Sequence, residues 1–152
     1  MVKVGAITIG QSPRADVVQE LFPLMGDQVE LIQAGALDGL TREDIQAFAP
    51  GPEDYTLISR LQDGSSVMLA ERHILPQLQQ CIDRLEKQGV NLILFLCTGD
   101  FPAVFHSNVP LIFPCKVLNA LVPALSNRGK IAVVVPTPQH VEQTEKKWNQ
   151  YV

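Results

Sequence analysis

The sequence predicts an α/β fold, a mainly parallel sheet flanked by helices, and three observations carry that expectation. Strand-like and helix-like segments alternate along the chain, the pattern that builds βαβ units. The five consecutive apolar residues Leu92 to Leu96 stop abruptly at Cys97-Thr98-Gly99-Asp100. A run that short, closed by turn residues, reads as a strand buried on both faces, as parallel strands are. Ahead of it, Ile74, Leu75, Leu78, Cys81, Ile82 and Leu85 recur at helical spacing and Gly89 follows as a stop. That gives an amphipathic helix over Ile74 to Gln88, feeding the strand.

The other elements follow in order. Val2 to Ile9 is a first strand. Gly10-Gln11-Ser12-Pro13-Arg14 turns into a helix, with Ser12 suited to the N-cap and Pro13 to the first helical position. Val17, Val18, Leu21 and Phe22 form its apolar face, and Pro23 should end or kink it. Val29 to Ala34 is a second strand. Thr41-Arg42-Glu43-Asp44 opens a short helix through Phe48 with a capping box in which Asp44 replaces the usual Glu or Gln. Tyr55 to Leu61 and Ser66 to Ala70, joined through Asp63-Gly64, read as a β-hairpin. In an otherwise alternating chain it belongs at a sheet edge or as a flap, from which Arg60 or Arg72 would reach a ligand or simply face solvent. After Pro102 a short helix is expected over Ala103 to His106. Val109 to Phe113 is a short strand, and Pro114 begins a helix. Lys130 to Val135 reads as a further buried strand, and Pro136-Thr137-Pro138 leads into a helix carrying Val141, Trp148 and Tyr151.

Composition narrows the function classes. A chain of 152 residues is long enough for one domain with a core. Hydrophobic content of 46% against 18% charged excludes a disordered polymer. The net charge of -4, with no basic stripe, argues against a nucleic-acid partner. No apolar run nears the ~18 residues of a membrane span, and the first residues lack a signal-peptide pattern. A cytoplasmic protein with no membrane partner is expected. Cys81, Cys97 and Cys115 form no CxxC pair and no ligand spacing with His73, His106 or His140, so reduced thiols are expected, with no metal and no cofactor.

Two candidate sites lie where strands end. In parallel sheets ligands sit outside the carboxyl ends of the strands. Cys97 falls there, with the Thr98 hydroxyl and the unhindered backbone of Gly99 beside it. A helix starting after Pro102 would favour its thiolate. The other reading of Cys97 is a small apolar residue closing a strand. The turn Gly10, Gln11, Ser12, Arg14 is the second candidate, because N–H groups at a helix start attract anions and the guanidinium fork suits a carboxylate or phosphate. Plain capping by Ser12 and a solvated Arg14 explain it equally. Cys115, at another strand–helix junction with Lys116 beside it, is the rival nucleophile; Cys81 faces the core.

Taken together, Thr8-Ile9-Gly10-Gln11-Ser12-Pro13-Arg14, the Asp63-Gly64 hairpin, the helix beginning Ile74-Leu75-Pro76-Gln77-Leu78, Cys97-Thr98-Gly99 and Val133-Val134-Val135-Pro136 resemble the AroM family. That family is similar to the aspartate/glutamate/hydantoin racemase superfamily, built from two similar α/β halves with the site between them. The resemblance implies that Cys97 holds the first-half cysteine position, that Thr98 is the neighbouring carboxylate binder, and that Gly10, Gln11 and Ser12 contact substrate. It also implies a second-half cysteine, in an Asp-Cys-Leu-Gly motif that has no counterpart here. The chain therefore divides into an α/β domain over residues 1–135, with the hairpin inserted at about 55–70, and a crossover helix over 136–152 directed toward a second half or a homodimer partner.

Three functional expectations follow. One is a cofactor-independent racemase or isomerase acting on a small-molecule carboxylate, with Cys97 as acid or base. Another is a non-catalytic metabolite-binding or regulatory module linked to aromatic amino-acid metabolism. The third is the front part of a longer protein, inactive alone.

Overall fold

The computed structural model describes residues 1–125 and 130–151. Its centre is a parallel sheet in the order β2-β1-β5-β6, formed by β1 (Val2–Thr8), β2 (Val29–Gly35), β5 (Leu92–Phe95) and β6 (Leu111–Ile112). Val4 pairs with Leu31 on one side and Leu92 on the other, so β1 is central. This is why β1 carries the unbroken buried run Val4 to Thr8. A strand flanked on both edges and covered on both faces has no solvent side for polar residues.

The hairpin β3 (Thr56–Arg60) and β4 (Ser66–Ala70) forms a separate antiparallel sheet. It does not extend the edge of the main sheet. It packs Leu57 and Leu69 into the common core, and the Gln62 side chain donates to the Ser12 carbonyl at 2.6 Å. The long helix α3 (Glu71–Lys87) follows β4 directly and buries Ile74, Leu78, Cys81, Ile82 and Leu85, the face its spacing predicts. It begins three residues earlier than expected, since Ala70 is extended and the chain turns helical at once. Leu85 closes onto Gly5, where an added methyl carbon would lie 2.9 Å from its Cδ1.

Helix α2 (Arg42–Gln46) carries the expected box. The Thr41 hydroxyl accepts from the Asp44 N–H at 3.2 Å, and the Asp44 carboxylate accepts from the Thr41 N–H at 2.9 Å. The helix stops at Gln46, short of Phe48. Thr41→Ala removes the hydroxyl's half of this exchange, keeps the backbone N–H that donates to Asp44, and should lower unfolding free energy by about 1 kcal/mol. Urea denaturation checks it, and an unchanged midpoint would show that the box contributes nothing.

Four expectations are corrected. Helix α1 (Ala15–Met25) is capped by Arg14 without a side-chain bond. Ser12 is not its N-cap, nor Pro13 its first residue, because Ser12 is drawn to Asp38 instead. Pro23 lies inside α1, which continues to Met25 and ends at Gly26 with φ +75°; so close to the end, the missing N–H disturbs little. Residues 103–106 are not helical. Their neighbourhood bonds to α3: the Gln79 amide exchanges hydrogen bonds with His106 at 3.0 and 2.9 Å, and Glu86 receives Ser107 and Asn108. Lys130 to Val135 is not a buried strand. It has no ladder partner among the described residues, and Val134 is 97% exposed.

Helix α4 (Pro114–Leu125) buries Cys115 and Asn119. A single helical turn at 138–140 leads into α5 (Val141–Trp148), which has no fully buried residue. No described helix is long and apolar enough to cross a membrane.

Candidate functional site

Strand order reverses at β1: the chain goes from β1 to its neighbour β2 on one side and later returns to β5 on the other. Such a switch point opens a crevice at the carboxyl ends of the two strands. Ile9, just past β1, and Cys97, two residues past β5, both line a cavity of about 260 Å³ there. The volume lies slightly below the usual range for small-ligand pockets, which suits a small molecule and not a dinucleotide.

The crevice has three walls. Cys97, Thr98 and Gly99 form its floor. Tyr55 to Ile58 of the hairpin form one side, which gives the inserted flap a role at the site. Lys147 and Trp148 of α5, with Leu118 of α4 and Val133, form the other. The Gly99 N–H donates to the Cys97 sulfur at 3.3 Å, and the Lys147 ammonium donates to the Thr98 carbonyl at 3.4 Å. Lys147 also stands 5.7 Å from the centre of the Trp148 ring, a distance at which the ring face attracts a cation.

The loop bearing Cys97 is anchored by rings. Phe95 is fully buried, with the centroids of Phe113, Phe105 and Phe101 at 4.4, 5.6 and 5.8 Å. The chain leaves the sheet after Phe95, exposes Cys97 and Thr98 to the crevice, and is pulled back to the core by Phe101. That clamp holds the thiol at the rim without a helix after Pro102. The expected helix N-terminus beside Cys97 is therefore absent, and its help to the thiolate with it.

Burial pushes the Cys97 thiol above its ordinary value; the Gly99 N–H opposes this, the neighbouring Cys115 adds to it, and the charges of Lys147 and Arg14 oppose it more weakly. The group is thus held as a neutral thiol at neutral pH. Cys115 is fully buried, pushed up chiefly by burial, and does not line the crevice. Cys81 is a core thiol on α3, as its spacing implies.

The two sequence-predicted turns lie at the same rim but serve separate pockets. Gln11 and Arg14 line a smaller neighbouring pocket with Arg60, Leu61 and Gln62 of the hairpin. Gln11 accepts from the Gln62 N–H at 2.9 Å. Arg14 already holds a carboxylate: its Nε and Nη2 donate to the two oxygens of Asp16, both at 2.8 Å. That pair holds Asp16 down at about 2. Ser12 donates its N–H and hydroxyl to Asp38 at 2.7 and 2.6 Å. Gly10 packs against Ser59 and the Arg60 carbonyl. Arg72 is occupied by Asp54. Of the seven predicted site residues, Cys97, Thr98 and Gly99 share the crevice; Gly10, Gln11, Ser12 and Arg14 do not line it.

Lys147 is what the sequence reading missed. Its position depends on how α5 returns over the rim, and one lysine beside another on an amphipathic helix carries no local signal. Among the described residues no group of three or more His, Cys, Asp or Glu is arranged to hold a metal ion.

A family model described as AroM protein matches residues 4–152. No curated protein and no solved structure matches the chain.

Proposed function

The chain belongs to the AroM family, and from that premise we propose that it binds a small carboxylate in the Cys97 crevice and presents the Cys97 thiol to it as a proton donor. The observation that carries the proposal is the meeting of thiol, Gly99 N–H and Lys147 ammonium in one cavity at the switch point of the sheet. Lys147 supplies the charge partner a carboxylate needs when it leaves water. A thiol kept neutral by burial is suited to giving a proton.

Racemase-type exchange needs a base on one face of the substrate and an acid on the other. Cys97 is the one cysteine among the described residues lining the crevice, so a full two-thiol exchange would draw its second group from elsewhere. The elevated thiol also favours a second reading, a non-catalytic module that binds or senses a metabolite.

Iodoacetate and iodoacetamide separate these ideas. They deliver the same carbon to a thiol, but only iodoacetate carries a carboxylate. Cys81 and Cys115 are fully buried, so early alkylation reports Cys97. The iodoacetate-to-iodoacetamide rate ratio at Cys97, normalised to free cysteine, is expected to exceed one by about tenfold, one favourable ion pair's worth. A normalised ratio of one would sink the carboxylate reading. The rate should also rise with pH through a midpoint above that of free cysteine, since burial raises the thiol. Incubating chiral carboxylates in heavy water then tests the chemistry. Deuterium entering at the α-carbon, lost in Cys97→Ser, marks proton transfer; binding without exchange marks the sensor.

A further inference from the structure

We infer that the crevice selects a monocarboxylate with an apolar body, its charged end on Lys147 beside Thr98 and Gly99 and its body along Leu57, Leu118 and Trp148. This rests on the carboxylate reading above and narrows it to a substrate class.

Among the described residues lining the crevice, Lys147 is the one Lys or Arg. The nearby guanidinium of Arg14 is already closed by Asp16, and that of Arg72 by Asp54. The ring of His140, which also faces the crevice, is paired with the Thr137 hydroxyl at 2.9 Å. An ammonium has three donors. One is directed to the Thr98 carbonyl, which leaves capacity for a single carboxylate. A second carboxylate on the same ligand would find no second Lys or Arg among the described lining residues, only the polar groups of Thr56, Gln143 and Thr144 and the Nε2 edge of His140, whose Nδ1 is engaged by Thr137. A carboxylate that leaves water without such a counter-charge is disfavoured.

The walls supply the second half. Leu118 and Val133 line the crevice yet remain 37% and 42% exposed. These are apolar surfaces facing open space inside a concave site, where a ligand's hydrocarbon body would displace water from both sides. A ligand that is only a carboxylate, such as acetate, reaches Lys147 but leaves these walls wet. The arrangement thus discriminates in two directions, against a second charge and against a missing body.

Trp148 is the single tryptophan of the chain and forms part of the wall, so its emission reports occupancy. The matched probes are hexanoate, hexanamide, adipate and acetate, which vary charge, second charge and body separately. Hexanoate is expected to bind at least about tenfold more tightly than each of the other three. In Lys147→Met, checked for folding by circular dichroism, hexanoate should fall to the level of hexanamide. Adipate or acetate binding as well as hexanoate would overturn the inference; if the iodoacetate preference at Cys97 still holds, the carboxylate reading survives. Hexanamide matching hexanoate in the native protein, with no iodoacetate preference, removes both. Equilibrium dialysis of hexanoate is the second measurement, and no binding by either method also overturns the inference.

Discussion

Phe95→Ala is expected to lower unfolding free energy by about 3–5 kcal/mol, the range for emptying a large aromatic site in a packed core. Phe95 has no exposed surface, and three other phenylalanine rings lie within contact of it. Truncation would remove both the buried area and the favourable ring geometry. The surrounding rings come from the two ends of the 101–113 segment, which is tethered to α3 through Gln79 and Glu86, so they cannot freely collapse into the void. Against a total stability of roughly 5–15 kcal/mol for a domain, this is a large loss. It has a functional reading as well. Cys97 is two residues beyond Phe95, and the loop that carries it is fastened at both ends to this ring. Alkylation of Cys97 should therefore accelerate in the variant even under conditions where it remains folded. Phe95→Leu keeps most of the volume and should lose much less. A loss under about 1 kcal/mol for alanine would mean that the ring cluster does not anchor the rim.

Much of the fold was readable because its signals are local. Leu92 to Leu96 needs no partner to announce a strand, although β5 ends at Phe95 and buries fully only Ile93 and Phe95, one face and not the expected two. The Asp63-Gly64 turn or the Thr41–Asp44 exchange is complete within a few residues. The failures share the opposite property. Ser12 reads as a helix cap until Asp38, twenty-six positions away, takes its hydroxyl. Phe101 and Phe105 have helical spacing, yet both rings turn to Phe95 and the polar groups near them bond to α3. Lys130 to Val135 has the composition of a strand but no edge to pair with among the described residues, and a strand is defined by its neighbour.

The site was half legible for the same reason. Cys97, Thr98 and Gly99 sit together because they are consecutive, and their place at the rim follows from the strand before them. Arg14 suits an anion by residue type, but Asp16, two residues on, satisfies its fork. Nothing near Lys147 in sequence predicts that it crosses forty-nine positions to the carbonyl of Thr98. The charge that gives the crevice its proposed selectivity is thus a product of chain return, which periodicity does not encode.

The same long-range logic makes Gly35→Ala the second large effect, a loss of about 3 kcal/mol, the upper part of the overpacking range. A methyl carbon at Gly35 would stand 2.5 Å from the Gly10 carbonyl oxygen and 2.6 Å from the Ser12 nitrogen. Both are backbone atoms, so no side-chain rotation relieves the contact. A third neighbour, the Asp38 carboxylate at 2.5 Å, is itself fixed: it accepts from the Ser12 N–H, the Ser12 hydroxyl and the Gly35 N–H, at 2.7, 2.6 and 2.7 Å. The methyl must either part the turn after β1 from the turn after β2 or break this three-donor grip on a charged acceptor, where each lost bond costs about 1.5–3 kcal/mol. Gly51→Ala is the matched control. There the new carbon meets only the Asp54 carboxylate at 3.4 Å, ordinary contact at an exposed turn, and stability should stay within about 0.5 kcal/mol. Denaturant midpoints of the two variants decide the matter. Equal midpoints would show that the turns flanking β1 yield freely, and the Ile9 wall of the crevice would then not be held in place by Asp38.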